Sequence, residues 1–231
     1  MSKTPSPGLK EDTVKITAGG VTLEGQLSIP ESARGIVVFA HGSGSGRFSP
    51  RNRFVAQGLQ DGGLATLLLD LLTSEEERID ERTRQYRFDI DLLARRVVGT
   101  TDWLLGQSET RNLRIGYFGS STGAAAALIA AAERPDVVSA VVSRGGRPDL
   151  AMPVLDTVKA PTLLIVGGND TVVIELNNDA LAQLRSEKKI EIIPGATHLF
   201  GEPGALEKVV ALARQWFQKN LTTAEEYKKA V

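Results

Sequence analysis

The sequence predicts an α/β fold: a mostly parallel, twisted β-sheet that carries helices on both faces. Short, unbroken apolar runs recur from residue 35 to the end of the chain, as is typical of parallel strands that are buried on both sides. Between these runs lie segments whose apolar residues repeat at spacings of three and four, the period of an amphipathic helix. Such an alternation of strand and helix requires a sheet that is covered on both faces.

The N-terminal part predicts an antiparallel hairpin at the edge of this sheet. Residues 14–17 and 21–27 alternate apolar and polar side chains on either side of a Gly-Gly pair, as expected of strands with one face in water. Residues 1–12 are polar and contain two prolines, which predicts a loose N-terminal tail.

The remaining strands and helices are predicted from the same two patterns, continuous apolar runs for strands and apolar repeats at spacings of three and four for helices. The central strands are predicted over residues 36–40, 64–69, 113–118, 137–142, 162–166 and 190–193. A helix is predicted to begin at Pro50 with Ser49 as its cap, and further helices are predicted over residues 86–104, 124–134 and 206–217. The charged segment 75–82 is predicted to be a solvated loop and helix start. The chain contains no repeat and no linker, so residues 1–231 are predicted to form a single domain.

The composition disfavours several classes of function. The formal net charge is -1, which provides no field for general binding of nucleic acids or acidic membranes. The chain has no Cys and only two His, which disfavours thiolate chemistry and a multi-histidine metal centre. Its longest apolar run, residues 124–132, is far shorter than the roughly 20 residues that span a bilayer. We therefore expect a cytoplasmic protein that binds a small molecule, with no nucleic-acid or membrane partner, as a monomer or homodimer.

The strongest chemical signal is the run Gly119-Ser120-Ser121-Thr122-Gly123. It lies between a predicted strand and a predicted helix, the setting in which G-x-S-x-G forms a nucleophile elbow. So tight a turn strains the backbone of the central residue and leaves no room for side chains two positions away. Ser121 is therefore the predicted nucleophile, at the N-terminus of a helix whose dipole favours developing negative charge. Ser120 is the rival, discounted because it lies one position too early.

A serine nucleophile needs an imidazole base that is oriented by a carboxylate. His198 follows the predicted strand 190–193, and Asp170 follows the predicted strand 162–166. Both therefore lie at carboxyl ends of parallel strands, where open α/β sheets build their sites. The order Ser121, Asp170, His198 is the order of an α/β-hydrolase. Asp149 is the alternative acid.

The glycine-rich loop after the first central strand predicts an oxyanion hole. A backbone N–H group in this loop and the N–H of the residue after the nucleophile stabilise the negative oxygen of an acyl-transfer intermediate. We assign these donors to Ser43 and Thr122, with Gly42 or Gly44 as substitutes for Ser43. His41, which opens the loop, is a candidate substrate contact.

The same loop has a competing interpretation as a dinucleotide site. Asp70 ends the next strand, where a ribose contact would lie, and Gly42 and Gly44 match the first two glycines of G-x-G-x-x-G. The third glycine is replaced by Arg47, and the fingerprint depends on that glycine. Nucleotide binding is therefore the weaker hypothesis.

With these residues in place, the chain resembles the dienelactone-hydrolase-like branch of the α/β-hydrolase superfamily. The likeness rests on the loop 41–44, the elbow at Ser121, the Asp170 turn and the His198 loop. It implies an α/β-hydrolase fold and a carboxylic-ester hydrolase that acts through an acyl-enzyme, with no metal and no organic cofactor. Dienelactone hydrolases carry Cys at the nucleophile position, so general esterase activity on short or soluble acyl esters or lactones is expected here. The segments 49–53 and 87–90 are also similar to hydrolase domains that are fused to phosphoribosyltransferases.

The remaining candidates concern the substrate pocket. Residues 143–161 are too few for a lid domain, so an open site is expected. Arg144 and Arg147 lie on this loop and are candidates for binding a substrate carboxylate, although a surface Arg that pairs with Asp149 or with a Glu elsewhere is the more common case. Leu71 and Phe200 are candidates for an apolar wall, as are Leu72 and Met152, and core packing explains all four equally well. Acyl transfer on the same residues and a non-catalytic binding domain are the alternative functions.

Overall fold

A computed structural model describes residues 8–222 of the chain. Its strands, in chain order, are β1 (Leu9–Ala18), β2 (Val21–Pro30), β3 (Gly35–Ala40), β4 (Ala65–Leu69), β5 (Arg114–Ser120), β6 (Val138–Arg144), β7 (Thr162–Gly167) and β8 (Lys188–Ile193). They form one eight-stranded sheet in the order β1-β2-β4-β3-β5-β6-β7-β8. The pairs β1/β2 and β2/β4 are antiparallel and all the others are parallel. The predicted mostly parallel sheet with an antiparallel edge hairpin is confirmed.

Helices cover both faces of the sheet, as predicted. They are α1 (Pro50–Gln60), α2 (Ser74–Thr83), α3 (Ile90–Gly106), α4 (Thr122–Glu133), α5 (Thr171–Gln183) and α6 (Ala205–Leu221), together with a 3₁₀ helix over Pro148–Thr157. Neighbouring side chains of a strand point to opposite faces, so Val38 joins the core under α3 and α4 whereas Phe39 joins the core under α1 and α6. None of the helices in the described part of the chain is long and apolar enough to cross a membrane.

The start of α1 follows the predicted local chemistry. Pro50 occupies the first turn, and the hydroxyl of Ser49 accepts the N–H of Asn52, which satisfies one of the free donors at the helix start. Val55 and Leu59 are fully buried. The first turn of α1 is therefore fixed beside the loop that follows β3.

Two predictions about the N-terminal half need correction. The predicted tail over residues 1–12 is wrong for residues 9–12, because β1 begins at Leu9 and pairs with β2 as far as Pro30; residues 1–7 lie outside the described part. The charged segment 75–82 lies within α2, and its Asp80 is only 1% exposed. Both errors have the same cause, because the predictions relied on apolar patterns. Backbone pairing holds residues 9–12 in β1, and an ion pair with Arg87 holds Asp80 in the interior, and neither requires an apolar side chain.

Candidate active site

Ser121 has the strained backbone that the elbow predicts. It connects β5 to α4 with φ 50° and ψ -123°, in the positive-φ region that non-glycine residues rarely adopt. Two hydrogen bonds hold it there: the Ser121 N–H donates to the Arg144 carbonyl at 3.3 Å, and the Arg147 N–H donates to the Ser121 carbonyl at 3.0 Å. The loop after β6 therefore supports the turn from one side.

The two glycines of the elbow are required by close packing of backbone. A Cβ atom at Gly119 would lie 2.4 Å from Cα of Ala124 in α4, and one at Gly123 would lie 2.2 Å from the carbonyl oxygen of Ala40 in β3. Both distances are far below any normal contact of a Cβ atom. The expected collisions with helix and strand are confirmed.

The rival nucleophile Ser120 points into the protein. Its side chain is 2% exposed, and its hydroxyl donates to Oδ1 of Asn52 in α1 at 3.2 Å. Asn52 is equally buried. Ser120 thus ties the elbow to α1, and its hydroxyl is not available to a ligand.

Asp170 and His198 meet at the carboxyl edge of the sheet. Asp170 precedes α5 just after β7, and His198 follows β8, which lies parallel to β7. Nδ1 of His198 lies 2.6 Å from Oδ2 of Asp170. A carboxylate can only accept here, so Nδ1 carries the proton and Nε2 of the neutral ring keeps a free lone pair. The alternative acid, Asp149, instead binds Arg147 through both carboxylate oxygens, at 2.8 and 2.7 Å.

The loop after β6 connects this pair to the elbow. Gly145 follows Arg144, whose carbonyl binds the Ser121 N–H. A Cβ atom on Gly145 would lie 3.2 Å from the His198 carbonyl oxygen and 3.5 Å from its Nδ1. The His198 loop and the elbow therefore pack on the same short segment. Within residues 8–222, His198 forms a hydrogen bond with Asp170 but none with Ser121. Such bonds are often long in unliganded enzymes.

The predicted oxyanion loop lies directly against the elbow. A Cβ atom on Gly42 would be 3.0 Å from Cβ of Ser121. The N–H of Ser43 donates to Oγ1 of Thr122 at 3.1 Å, the two hydroxyls are 3.0 Å apart, and the Ser43 hydroxyl donates to the Arg87 carbonyl at 3.3 Å. The predicted donor thus faces the Thr122 hydroxyl, which a substrate oxygen would have to replace. Gly44 adopts φ 65°.

His41 holds this loop in place through both ring nitrogens. Nε2 accepts the N–H of Leu71 at 2.9 Å, and Nδ1 is 2.9 Å from the carbonyl oxygen of Gly42. Because Nε2 accepts from a backbone N–H, the ring proton is on Nδ1 and is donated to Gly42. Burial lowers the pKa of His41, which favours the neutral ring. The structure therefore gives His41 a role in positioning Gly42 and Ser43. His41 also lines the cavity beside this loop, and its direct contact with a substrate stays a prediction.

The remaining pocket candidates are largely occupied within the protein. The guanidinium of Arg147 is paired with Asp149, as the alternative interpretation of this arginine predicts. Leu71 and Phe200 are at most 1% exposed and belong to the two cores, which leaves them no surface for an apolar wall in this structure. Arg144 is 7% exposed and lies over the Phe200 ring, 5.9 Å from its centroid.

A cavity of about 620 Å³ opens beside the oxyanion loop. Ser43, Gly44, Phe48, Arg51 and Leu72 are among its lining residues, whereas Ser121 is not. Ser121 lies close to the same loop, since a Cβ atom added to Gly42 would be 3.0 Å from Cβ of Ser121. The cavity thus extends away from the elbow on the side of the predicted oxyanion donor.

Asp70, the ribose contact of the nucleotide hypothesis, also has partners within the chain. Its carboxylate accepts the Arg47 N–H at 2.7 Å and forms an ion pair with the Arg47 guanidinium. Arg47 also reaches Glu24 at 2.5 Å. Arg47 therefore occupies the Asp70 carboxylate that the nucleotide hypothesis assigns to a ribose contact. Over residues 8–222, no three His, Cys, Asp or Glu side chains are grouped so that they could hold a metal ion.

Sequence reasoning missed the support that α2 gives to the oxyanion loop. The buried carboxylate of Asp80 accepts the N–H groups of Tyr86 and Arg87 at 2.8 and 3.0 Å, and Nε of Arg87 at 2.5 Å. Burial raises the pKa of Asp80, but these hydrogen bonds outweigh it and the pKa is below its ordinary value. The Arg87 carbonyl in turn accepts the Ser43 hydroxyl. No sequence signal separates Asp80 from the exposed charges around it.

Comparison with known proteins gives one consistent family. Residues 23–227 match the sequence model of the dienelactone hydrolase family. The chain is 62% identical to a dienelactone hydrolase of Anabaena variabilis whose crystal structure covers 93% of this chain and 99% of its own, with a TM-score of 0.91. An esterase of Pyrococcus furiosus has the same fold at 17% identity, with a TM-score of 0.78 over 96% of both chains.

A mycobacterial relative extends beyond the matched region. The chain is 56% identical, over 215 residues, to a Mycobacterium tuberculosis protein that is provisionally named a phosphoribosyl transferase. The match covers 93% of this chain but 48% of the relative. The chain therefore spans about half the length of the curated relatives that it matches.

Proposed function

The chain belongs to the dienelactone hydrolase family, and from this premise we propose that it is a serine carboxylesterase that cleaves short or soluble acyl esters or lactones. The observation that carries the proposal is the elbow at Ser121, whose φ of 50° costs on the order of 1–3 kcal/mol. Functional sites are where such strain is found, because it holds a reactive side chain in one orientation. The Asp170–His198 pair on the same sheet edge supplies the base that a serine needs.

The proposed reaction has two acyl-transfer steps. Nε2 of His198 takes the proton of the Ser121 hydroxyl while Oγ attacks the ester carbonyl carbon. The tetrahedral intermediate then collapses, the C–O bond to the alcohol breaks, and His198 returns the proton to the departing alkoxide oxygen. Water repeats the sequence on the acyl-enzyme, releasing the acid and restoring Ser121. Asp170 keeps the proton of His198 on Nδ1 and stabilises the imidazolium.

The proposed oxyanion hole consists of the N–H groups of Thr122 and Ser43. Thr122 is the first residue of α4, where backbone N–H groups have no partner within the helix and the dipole favours negative charge. One such donor is worth about 3 kcal/mol of transition-state stabilisation. The hydrogen bond from Ser43 to the Thr122 hydroxyl would be exchanged for one to the substrate oxygen.

Acyl transfer and a non-catalytic role are the alternatives. The side chain of His198 is 39% exposed, which supports access of water to the acyl-enzyme and therefore hydrolysis. The provisional name of the mycobacterial relative belongs to a protein about twice as long, so it does not assign phosphoribosyl transfer to the matched half. A paired base and a strained serine are difficult to explain in a domain that only binds.

The test is hydrolysis of p-nitrophenyl esters from acetate to octanoate by the wild type, Ser121→Ala and Ser120→Ala. We expect Ser121→Ala to lower kcat by about 10⁴–10⁶-fold and to abolish labelling by a fluorophosphonate. Ser120→Ala should lose less than about tenfold, because that hydroxyl is buried and bonds to Asn52. The open site predicts faster turnover of the short esters. Equal activity of Ser121→Ala and wild type would show that the nucleophile is wrong, and wild type that neither turns over nor is labelled would refute the hydrolase.

A further inference from the structure

Asn177 is a buried polar residue on the packing face of α5. The buried side chains of this helix are Val173, Asn177 and Ala180, and their spacings of four and three place them on one face of the helix. Such a face is normally apolar, yet the Asn177 side chain is fully buried on it. Burying an amide is unfavourable unless its polar atoms find partners. The hydrogen bonds of this amide must therefore offset its burial.

The Asn177 amide donates two hydrogen bonds. Nδ2 donates to the Gly146 carbonyl at 3.0 Å and to the Val173 carbonyl, one turn earlier in α5, at 2.7 Å. Because a carbonyl can only accept, the amide nitrogen must face both of them, and this fixes the orientation of the side chain. Oδ1 is buried and makes no hydrogen bond within residues 8–222. The bond to Gly146 thus coexists with a buried acceptor that has no partner, which is unfavourable for stability.

Gly146 lies in the middle of the segment that supports the elbow. On one side of it, the Arg144 carbonyl accepts the Ser121 N–H; on the other side, the Arg147 N–H donates to the Ser121 carbonyl. Gly146 itself is buried, so its carbonyl needs a partner within the protein. Asn177 supplies that partner. A displacement of Gly146 would be passed to both hydrogen bonds that hold the backbone of Ser121.

The same segment touches the proposed base, and α5 begins at the proposed acid. A Cβ atom added to Gly145 would lie 3.2 Å from the His198 carbonyl oxygen, so the segment packs on the His198 loop. Asp170 directly precedes the first residue of α5. Through the bond between Asn177 and Gly146, the helix that begins at the acid is joined to the segment that contacts both the nucleophile and the base.

We propose that Asn177 is a positioning residue of the reaction, which fixes the segment 144–147 against α5 and so holds the Ser121 hydroxyl where His198 can take its proton. The inference rests on the proposed function, because it concerns the same nucleophile and base. Asn177 is fully buried and does not line the cavity beside the oxyanion loop. Its effect should therefore appear in kcat and not in KM. Displacing a reacting group by about 1 Å can lower the rate about 100-fold.

Asn177→Leu and Asn178→Leu are the matched variants. Leucine has the same number and branching of side-chain heavy atoms as asparagine but donates no hydrogen bond, and Asn178 is exposed at the next position of the same helix. A fluorophosphonate titrates the active sites, and kcat on p-nitrophenyl acetate is expressed per titrated site. We expect Asn177→Leu to titrate fully, with kcat per site and the labelling rate lowered about 10–100-fold and KM within about twofold of wild type. Asn178→Leu should behave as wild type.

A structural role alone predicts a different pattern. Tm and the number of titrated sites would fall, but kcat per site would keep its wild-type value, and that result would overturn the proposal. Asn177→Ser is the second variant, for use where leucine prevents folding. Its hydroxyl can bond back to the Val173 carbonyl but is one bond too short to hold Gly146. We expect the same loss of kcat per site in this variant.

Hydrogen exchange of the Arg147 N–H provides a measurement that does not depend on catalysis. This group donates to the Ser121 carbonyl, and its exchange should become at least about tenfold faster in both Asn177 variants, because the segment opens more readily. Asn178→Leu should leave it unchanged. Faster exchange in a protein whose wild type neither cleaves esters nor is labelled would refute the proposed function and leave the role of Asn177 in holding the segment. Esterase activity with unchanged kcat per site and unchanged exchange in the Asn177 variants would overturn the positioning role.

Discussion

Nδ1 of His198 lies 2.6 Å from Oδ2 of Asp170, although 28 residues separate them in the chain. The parallel strands β7 and β8 end side by side, and each side chain belongs to the loop that follows its strand. The pair therefore results from the order of the strands, and its geometry determines which ring nitrogen keeps its lone pair.

Replacing Asp170 should test this relationship. An amide in Asp170→Asn no longer holds the proton on Nδ1, so the ring adopts the wrong tautomer and kcat should fall on the order of 10³–10⁴-fold. Asp149→Asn is the matched control, because Asp149 binds Arg147 and the rate should change less than about tenfold. Steady-state kinetics on p-nitrophenyl acetate gives both values. A larger loss in Asp149→Asn would assign the role to the alternative acid.

The elbow glycines should be intolerant of a methyl group. In Gly123→Ala the new Cβ atom would lie 2.2 Å from the Ala40 carbonyl oxygen, and relieving that overlap should cost about 1–3 kcal/mol or more. Gly106→Ala is the control, because the last residue of α3 has open space around it and alanine favours a helix by up to about 1 kcal/mol. Urea denaturation measures both. Equal stability of Gly123→Ala and wild type would contradict the close packing of α4 against β3.

The buried carboxylate of Asp80 should matter for both stability and rate. Asp80→Asn removes the charge that holds Arg87, which should cost about 1.5–3 kcal/mol and lower kcat, because the Arg87 carbonyl positions Ser43. The exposed pair of Glu75 with Arg78 provides the control: Glu75→Gln should change the free energy of unfolding by less than about 1 kcal/mol. Since the folded pKa of Asp80 is lowered, its stabilisation should be present above the ordinary pKa of 3.8 and be lost as the pH falls below it.

His41 should make the free energy of unfolding depend on pH in a second range, at higher pH than the range in which Asp80 titrates. Its lowered pKa means that the unfolded chain binds a proton more readily than the folded one. The contribution of the neutral ring to the free energy of unfolding is therefore complete above the ordinary pKa of 6.5. Below that pH it decreases by up to about 1.4 kcal/mol for each pH unit, until the pH reaches the folded pKa. Thermal unfolding at pH 7 and pH 5 should show a smaller drop in His41→Gln than in wild type. The drop should remain in His198→Gln, and its loss there would assign the effect to the wrong histidine.

The elbow could be predicted because its constraints are local. Whether Ser121 fits between β5 and α4 depends on Gly119 and Gly123, both within two residues of it. The strands of the parallel sheet could be predicted for a similar reason, since burial on both faces requires continuous apolar runs. The roles of Asp170 and His198 followed from the ends of such strands and from the presence of only two histidines in the chain.

Other features depended on distances between elements that are remote in sequence. The polar residues of β1 belong to the sheet because backbone hydrogen bonds to β2 need no apolar side chain. Asp80 is buried because α2 packs toward Arg87, while similar charges beside it face water.

By itself, then, the sequence determined the α/β class, the elbow and the edge of the sheet at which the site lies. Only the tertiary structure decided that Arg147 is paired with Asp149 and that the Ser43 N–H faces Thr122. The physical reason is that backbone conformation is encoded within a few residues, whereas partners among many similar charges are selected by the packing of whole elements.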